Sequence, residues 1–331
     1  MRAMLLNKPG DYNSFIAAEV PDPVPQAGQV RIKVCASSVN PLDLKIRSGS
    51  VAVGPDWPAI LHSDVGGWID QVGSGVTHFK PGDAVIGCAG GLKGHQGALA
   101  DLMLADARLL THAPSTLSLE EASVLPLVFV TAWSALIERC NLQAGMQVLI
   151  HGGTGGVGQA AIQLAKARGA KVFTTVSSAT KAKIAQNLGA DVAINYTQET
   201  PAEYVARLTQ GAGFPIVFDT VGGQCLDNSF LAAKVGGQVV SINTRSQHDL
   251  TLMHSKGLTL HVVFRALPLL TGLDIEAERA RLAAMVELID TGHLRPLIAE
   301  KTFGFHEVGA AHAYLDSGQA LGKILLRHQG I

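Results

Sequence analysis

Between residues 147 and 243, short β-branched runs alternate with amphipathic stretches: VLI at 148–150, VFTTV at 172–176, VAI at 192–194, IVF at 216–218 and VVSI at 239–242. The runs recur about every 20–24 residues, a spacing that suits β-α-β crossovers and predicts a parallel sheet. Val157, Ala160, Ala161, Leu164 and Ala165 follow i, i+3, i+4, i+7, i+8, which predicts a helix with one apolar stripe, stopped by Gly169. Residues 181–188 end likewise at Gly189, and Pro201 stands where a first helical turn tolerates it. The pattern predicts a doubly wound α/β domain.

The first 120 residues have another texture. Val30, Ile32 and Val34 alternate with polar positions, glycine and proline are frequent, and KPGD at 80–83 signals a turn. These features predict a β-rich domain of short strands. A helical pattern at 276–290 and an apolar run at 323–326 follow the α/β region. The chain is expected to return to its first domain, so that 1–121 and 265–331 form one domain and 122–264 the other.

Length and composition narrow the classes. A chain of 331 residues suits two domains with separate cores. The formal charge of −1 leaves no electrostatic footprint for nucleic acid or an anionic membrane. Cys35, Cys88, Cys140 and Cys225 are scattered, and no long apolar leader opens the sequence. A soluble protein of the reducing cytoplasm is therefore expected. The longest uncharged stretch, 122–137, contains Pro126 and falls short of the ~20 residues of a spanning helix.

Candidate chemistry centres on HGGTGGVG at 151–158, placed between a predicted strand and a predicted helix. Gly153, Gly155 and Gly158 fit GxGxxG: the first for the tight turn, the second for close approach of a pyrophosphate, the third for helix–strand packing. Versions of this motif that bind NAD place an acidic residue at the end of the second strand. Here that end reads Ser177, Ser178 and then Lys181, without a carboxylate. Hydroxyls and an ammonium complement a 2′-phosphate, so NADP(H) is the expected cofactor. A helix cap at Ser177 and Ser178 with a solvated Lys181 is the alternative, and capping is compatible with phosphate binding.

Several further motifs carry a family resemblance: ASSVNPLD at 36–43 with RSG at 47–49, DVGG at 64–67, FKPGD at 79–83, LP at 125–126, TAW at 131–133, LGAD at 188–191 and FDTVG at 218–222. Over almost its whole length the chain resembles the zinc-independent members of the medium-chain dehydrogenase/reductase superfamily, in the quinone oxidoreductase group that includes zeta-crystallin. The resemblance implies a GroES-like β-rich catalytic domain, a Rossmann domain, a cleft between them and a homodimer. It implies pyrophosphate contact from Gly156 and Val157, a 2′-phosphate lysine at Lys181 and a tyrosine near the adenosine phosphate at Tyr196. It also places Asn40 and Thr131 beside the nicotinamide, and brings Lys323 toward the cofactor. For Lys323 the alternative is a surface lysine before an edge strand.

Zinc-dependent relatives bind their metal through two cysteines and a histidine. The corresponding positions here are Asn40, Ser63 and Leu127, with His62 one residue out of register; this set lacks the thiolate and imidazole donors zinc uses. No metal is expected. Without a Lewis acid, simple ketones become poor acceptors. A quinone, or an enone at its β-carbon, stabilises the developing oxyanion itself, and the protein mainly aligns donor and acceptor.

Asn40 and Thr131 are expected to orient the reactants, with Asp43 anchoring the Asn40 loop or a ribose rather than shuttling protons. Trp57, Phe129, Trp133 and Phe264 are candidate pocket walls; ordinary core packing is the alternative for each. His95 lies in a glycine-rich loop, 90–97, that could cover the cleft, as a proton donor or as a solvated histidine. The leading functional expectation is an NADPH-dependent quinone reductase. Reduction of α,β-unsaturated carbonyls or enoyl thioesters is the nearest rival, and a low-turnover NADPH-binding or RNA-binding module is the reading from a different class.

Overall fold

A computed structural model describes residues 1–329. The chain divides into two compact units, one of Met1–Leu127 with the chain from Arg265 onward, the other of Val128–Phe264. The first unit contains β1 (Arg2–Leu6), β2 (Phe15–Glu19), β3 (Gln29–Val39), β4 (Asp64–Val72), β5 (Ala84–Cys88), β6 (Leu102–Asp106) and β7 (Leu110–His112). The second contains β8 (Gln147–Ile150), β9 (Lys171–Val176), β10 (Val192–Asn195), β11 (Phe214–Asp219), β12 (Ala233–Ser241) and β13 (Thr259–Val262). Two short strands, β14 (Phe303–Gly304) and β15 (Ile324–Arg327), complete the first unit.

In the first unit β1 pairs with β2, and a larger sheet runs β14-β15-β3-β4-β5-β7, with β6 also on β3. The alternation read from β3 is observed: Val30, Ile32 and Val34 are buried, while Lys33 between them is exposed. They enter a core with Leu61, Val65, Leu99 and Phe305. This is the GroES-like β-rich domain. Its decisive feature is the antiparallel pairing of β15 with β3, Ile324 opposite Val39. One step beyond that pair, Lys323 meets Asn40, although 283 residues separate them.

The second unit is a parallel sheet in the order β10-β9-β8-β11-β12-β13. Numbered within the unit this is 3-2-1-4-5-6, the doubly wound Rossmann order, which gathers ligand-binding loops at the carboxyl ends of the strands. The helix Gly156–Ala167 buries Ala160, Ala161, Leu164 and Ala165 of the expected stripe, but Val157 is only half-buried and Gln159, Ile162 and Gln163 are buried as well, so burial is wider than one stripe. Phe173 and Phe214 meet edge to face at 5.0 Å in a core shared with Leu149, Val217 and Phe230. The helical pattern at 276–290 resolves into a 3₁₀ turn, Ile275–Ala277, and the helix Glu278–Asp290. Among the described residues, no helix is long and apolar enough to cross a membrane.

Candidate active site

In the first unit, β3, β4 and the segment before β15 converge on a buried polar centre. Asn40 caps the helix Pro41–Arg47, and its backbone N–H donates to the Asp43 carboxylate at 2.8 Å. Its side chain is fixed from both sides: Lys323 Nζ donates to Oδ1 at 2.5 Å, and Nδ2 donates to Asp64 Oδ2 at 2.8 Å. Because an ammonium only donates and a carboxylate only accepts, the amide has one allowed orientation. One Nδ2 hydrogen remains for another acceptor.

Asp64 is the hub. Its Oδ2 also accepts from Ser38 Oγ at 2.6 Å, and its Oδ1 accepts from the Leu127 N–H at 2.8 Å. Lys323 Nζ lies 3.4 Å from Oδ2 and donates to Val39 O at 3.0 Å. Only 3% of Lys323 is exposed. This placement overturns the surface alternative for Lys323: its ammonium is buried and directed to Asn40 and Asp64. The physical reason is the β15–β3 register, which delivers it beside a buried carboxylate. Asp43 anchors the Asn40 turn by accepting from that residue's backbone N–H. Burial pushes its carboxyl up to about 7, against the opposing pull of the Asn40 N–H and Lys323.

His62 and His312 complete this interior. Their Nε2 atoms are 2.9 Å apart in stacked rings, so one ring donates and the other accepts. Burial holds His62 well below the ordinary histidine value, with repulsion from His312 and Lys323 adding to it, and lowers His312 to about 3. In the second unit burial lowers His151 to about 4, partly opposed by Asp219.

These neutral histidines make stability pH-dependent. As pH falls through the unfolded value of 6.5, the unfolded chain takes up protons that the folded chain refuses until about pH 3–4. Asp43 acts in the opposite sense between 3.8 and about 7, where only the folded state holds its proton. Three groups against one leave stability falling with pH by at most about 2–3 kcal/mol per unit. Melting curves at pH 7.5 and 5.5 should show the lower midpoint at 5.5; equal midpoints would contradict the assignment.

In the second unit the glycine loop connects β8 to the helix Gly156–Ala167. The left-handed residue of the turn is Gly152, with φ of 72°, not Gly153. Gly153 is required for another reason, since a Cβ there would lie 2.2 Å from Thr174 Oγ1 on β9. At Gly158 a Cβ would lie 2.1 Å from Gly152 O, the close packing expected of the third glycine. Gly155 is exposed, and a Cβ there would meet only Gly152 O, at 3.2 Å, within 4 Å. The open side of the loop therefore lies at Gly155. As N-cap it offers no side-chain acceptor, so the first-turn amides of Gly156, Val157 and Gly158 have no intrahelical partner. A pyrophosphate suits this donor cluster and the positive end of the helix dipole.

At the end of β9, Ser178 caps the next helix by accepting from the Lys181 N–H at 3.2 Å. Ser177, Ser178 and Lys181 are all half-buried. The Tyr196 N–H donates to Val176 O at 3.1 Å, which sets this 57% exposed tyrosine beside the same strand end. Sequence reasoning missed Asp219, whose carboxylate accepts from the Val221 and Gly222 N–H groups and from Ser241 Oγ, tying β11 to β12 at the same sheet edge. FDTVG at 218–222 contained the signal, an acidic residue closing an apolar strand.

The expected pocket walls separate. Phe129 is fully buried and packs on Trp133 at 5.8 Å between ring centroids, the plain core alternative for it. Trp133 also carries the Arg168 guanidinium over its ring. Thr131, 5% exposed, shares their helix, Pro126–Trp133. Trp57 and Phe264 are partly exposed at 40% and 37%. A cavity of about 330 Å³ in the first unit is lined instead by residues including Pro58, Ile60, His95, Gln96 and Met103.

Zinc does not fit this donor set. Asn40, Ser63 and Leu127 supply neither thiolate nor imidazole, and no group of three His, Cys, Asp or Glu among the described residues could hold a metal ion. Burial pushes the nearby Cys88 thiol far up, away from the thiolate.

Comparisons with known proteins agree with this architecture. Residues 26–115 match the model of the alcohol dehydrogenase GroES-like domain, and residues 156–283 that of the zinc-binding dehydrogenases. The chain is 32% identical to 2-methylene-furan-3-one reductase of Solanum lycopersicum, over 96% of this chain and 77% of that protein. An alcohol dehydrogenase superfamily protein from Novosphingobium aromaticivorans superimposes with a TM-score of 0.94 at 39% identity, covering 99% of this chain and 100% of that one. The Escherichia coli quinone oxidoreductase complexed with NADPH gives 0.89 at 27% identity, with coverage of 99% and 100%. The chain also matches polyketide synthases, such as the highly reducing apmlA of Arthrinium phaeospermum at 30% identity; 96% of this chain aligns there but spans only 13% of that protein. The chain belongs to the medium-chain dehydrogenase/reductase superfamily, and within it to the zinc-independent, quinone oxidoreductase-like oxidoreductases.

Proposed function

We propose that this chain is an NADPH-dependent reductase that passes hydride to quinones without a metal. The observation that carries the proposal is the centre built from Asn40, Asp64 and Lys323. By the resemblance Asn40 stands at a position where zinc relatives carry a metal ligand, and the centre around it offers hydrogen bonds in place of a Lewis acid. Only acceptors that stabilise their own developing oxyanion are served by such a centre.

NADPH, when bound, supplies the hydride. Gly156, Val157 and Gly158 hold the pyrophosphate through backbone N–H groups, while Ser177, Ser178, Lys181 and Tyr196 receive the adenosine end and its 2′-phosphate. Asn40, its amide locked by Lys323 and Asp64, presents one remaining N–H as a donor to the acceptor. Thr131 orients the reactants, and Asp43 keeps the Asn40 turn in place. Trp57 and Phe264 supply apolar walls that exclude water. The setting of this reading is a homodimer in the cytoplasm.

A second reading, reduction of α,β-unsaturated carbonyls or enoyl thioesters, is favoured by the similarity to the furanone reductase. It uses the same cofactor residues. Titration of NADPH and NADH against wild type and Lys181→Ala tests the cofactor half of the proposal. Loss of a charge-assisted contact should weaken NADPH by about 1.5–3 kcal/mol, more than tenfold, and leave NADH little changed. Equal affinity of the wild type for both cofactors would refute the 2′-phosphate assignment.

A further inference from the structure

Beyond the carboxyl end of β12, the second unit holds a hydrogen-bonded chain of three side chains. Ser246 Oγ lies 2.6 Å from His248 Nε2, and His248 Nδ1 lies 2.8 Å from Asp227 Oδ1. The donor inventory orders their roles. An ionised carboxylate only accepts, so Nδ1 carries the hydrogen and donates to Asp227; Nε2 of the neutral ring then accepts from the Ser246 hydroxyl.

The base is held from one helix face. Asp227 and Phe230 stand at i and i+3 on the helix Gln224–Ala232, and both contact the imidazole. The Phe230 ring meets it edge-on, at 86° and 6.4 Å between centroids. The His248 side chain is only 8% exposed, whereas Ser246, in the segment after β12, is open to solvent. An embedded, oriented base beneath an accessible hydroxyl is the arrangement that activates serine in unrelated folds, where geometry rather than sequence order identifies it. The backbone N–H groups of Arg245, Ser246 and Gln247 donate to no protein acceptor among the described residues, so donors adjoin the hydroxyl along the chain.

We propose that Ser246 is a nucleophile for acyl transfer, with His248 as its base and Asp227 orienting the base, giving the chain a hydrolytic activity towards activated esters that is independent of hydride transfer. Ser246 Oγ attacks the acyl carbon while its proton passes to His248 Nε2. The bond from the acyl carbon to the leaving oxygen then breaks, and the leaving alcohol or phenol takes that proton. Water, deprotonated by His248, hydrolyses the acyl-serine to a carboxylic acid and restores the hydroxyl; nothing is oxidised or reduced. Loss of a single preorganised oxyanion donor slows a hydrolase by about 10²–10³. An open loop of this kind therefore suits esters with good leaving groups, such as aryl acetates.

A fluorophosphonate reagent, which phosphonylates activated serines, followed by peptide mass spectrometry, tests the proposal. The folded wild type should carry the adduct on Ser246 and release p-nitrophenol from p-nitrophenyl acetate. Ser246→Ala should abolish both, and His248→Gln should reduce both at least about tenfold. Should His248→Gln lower the melting temperature, Asp227→Asn, which leaves the ring contact with Phe230 in place, reads the same dependence. Absence of an adduct on Ser246, or labelling unchanged when the base or its carboxylate is altered, would mean that the three residues only clamp the loop to the helix, and would overturn the proposal.

Discussion

Replacing Lys323 by methionine is expected to destabilise the first unit by about 3–5 kcal/mol, the usual effect of removing one partner from a buried ion pair. Methionine keeps most of the volume but removes the cation. Asp64, fully buried, would lose its counter-charge, and Asn40 Oδ1 and Val39 O would lose a donor. For a unit of this size the melting midpoint should fall by roughly 6–20 °C. Adding Asp64→Asn removes the stranded charge and should recover part of the loss, a coupling that a double-mutant cycle measures. An unchanged midpoint in Lys323→Met would show that the centre is not a structural hub.

The second large effect is expected at Gly158. Its Cβ would lie 2.1 Å from Gly152 O and 2.9 Å from both Gly152 C and Gly153 Cα, all backbone atoms that cannot swing aside. Gly158→Ala should therefore force the loop off the helix, destabilise the second unit by about 1–3 kcal/mol or more, and remove NADPH binding. Gly155→Ala separates packing from binding. Its backbone, with φ of −78°, accepts alanine, and the added methyl meets only one atom within 4 Å. That variant should fold normally yet weaken NADPH on the order of tenfold by occupying the open side of the loop. Thermal melts and NADPH fluorescence titrations of the two variants check both halves of the contrast. Equal loss of stability in both, or full binding by Gly155→Ala, would contradict it.

The second unit was largely legible because its signals are local. Five β-branched runs, each followed by a turn or a helix, specify strands, and the glycines specify a close approach between loop and helix. Locality also limited the reading: GxGxxG spacing assigned the tight turn to Gly153, whereas the left-handed residue is Gly152. The strand β13 went unread since its four residues are half-buried or exposed at a sheet edge and carry no clean alternation. The start of β12 was set too late because Gly236 and Gly237 punctuate a strand that in fact begins at Ala233.

The buried polar centre of the first unit was only partly legible. Asn40 and Asp43 lie in one motif, and their joint role in a helix start is a local matter. Lys323 joins them through strand pairing across most of the chain, and a register of that kind is not written in nearby residues. Asp64 was visible as a motif member, but its role as acceptor for four donors depends on β3, β4, the β15 approach and Leu127 meeting at one point. A carboxylate opening an apolar strand and a lysine preceding another were the available clues. Ser246, His248 and Asp227 gave less still, since no motif joins them.

Steady-state oxidation of NADPH with a quinone panel and an enone panel, on protein whose zinc content has been measured and with a chelator present in parallel, separates metal-free hydride transfer to quinones from its alternatives. Quinone-dependent oxidation is expected at the same rate with and without chelator, in protein holding far less zinc than enzyme. Inert quinones beside rapidly reduced enones would contradict the acceptor assignment, and activity that rises and falls with zinc would contradict the metal-free centre of Asn40, Asp64 and Lys323.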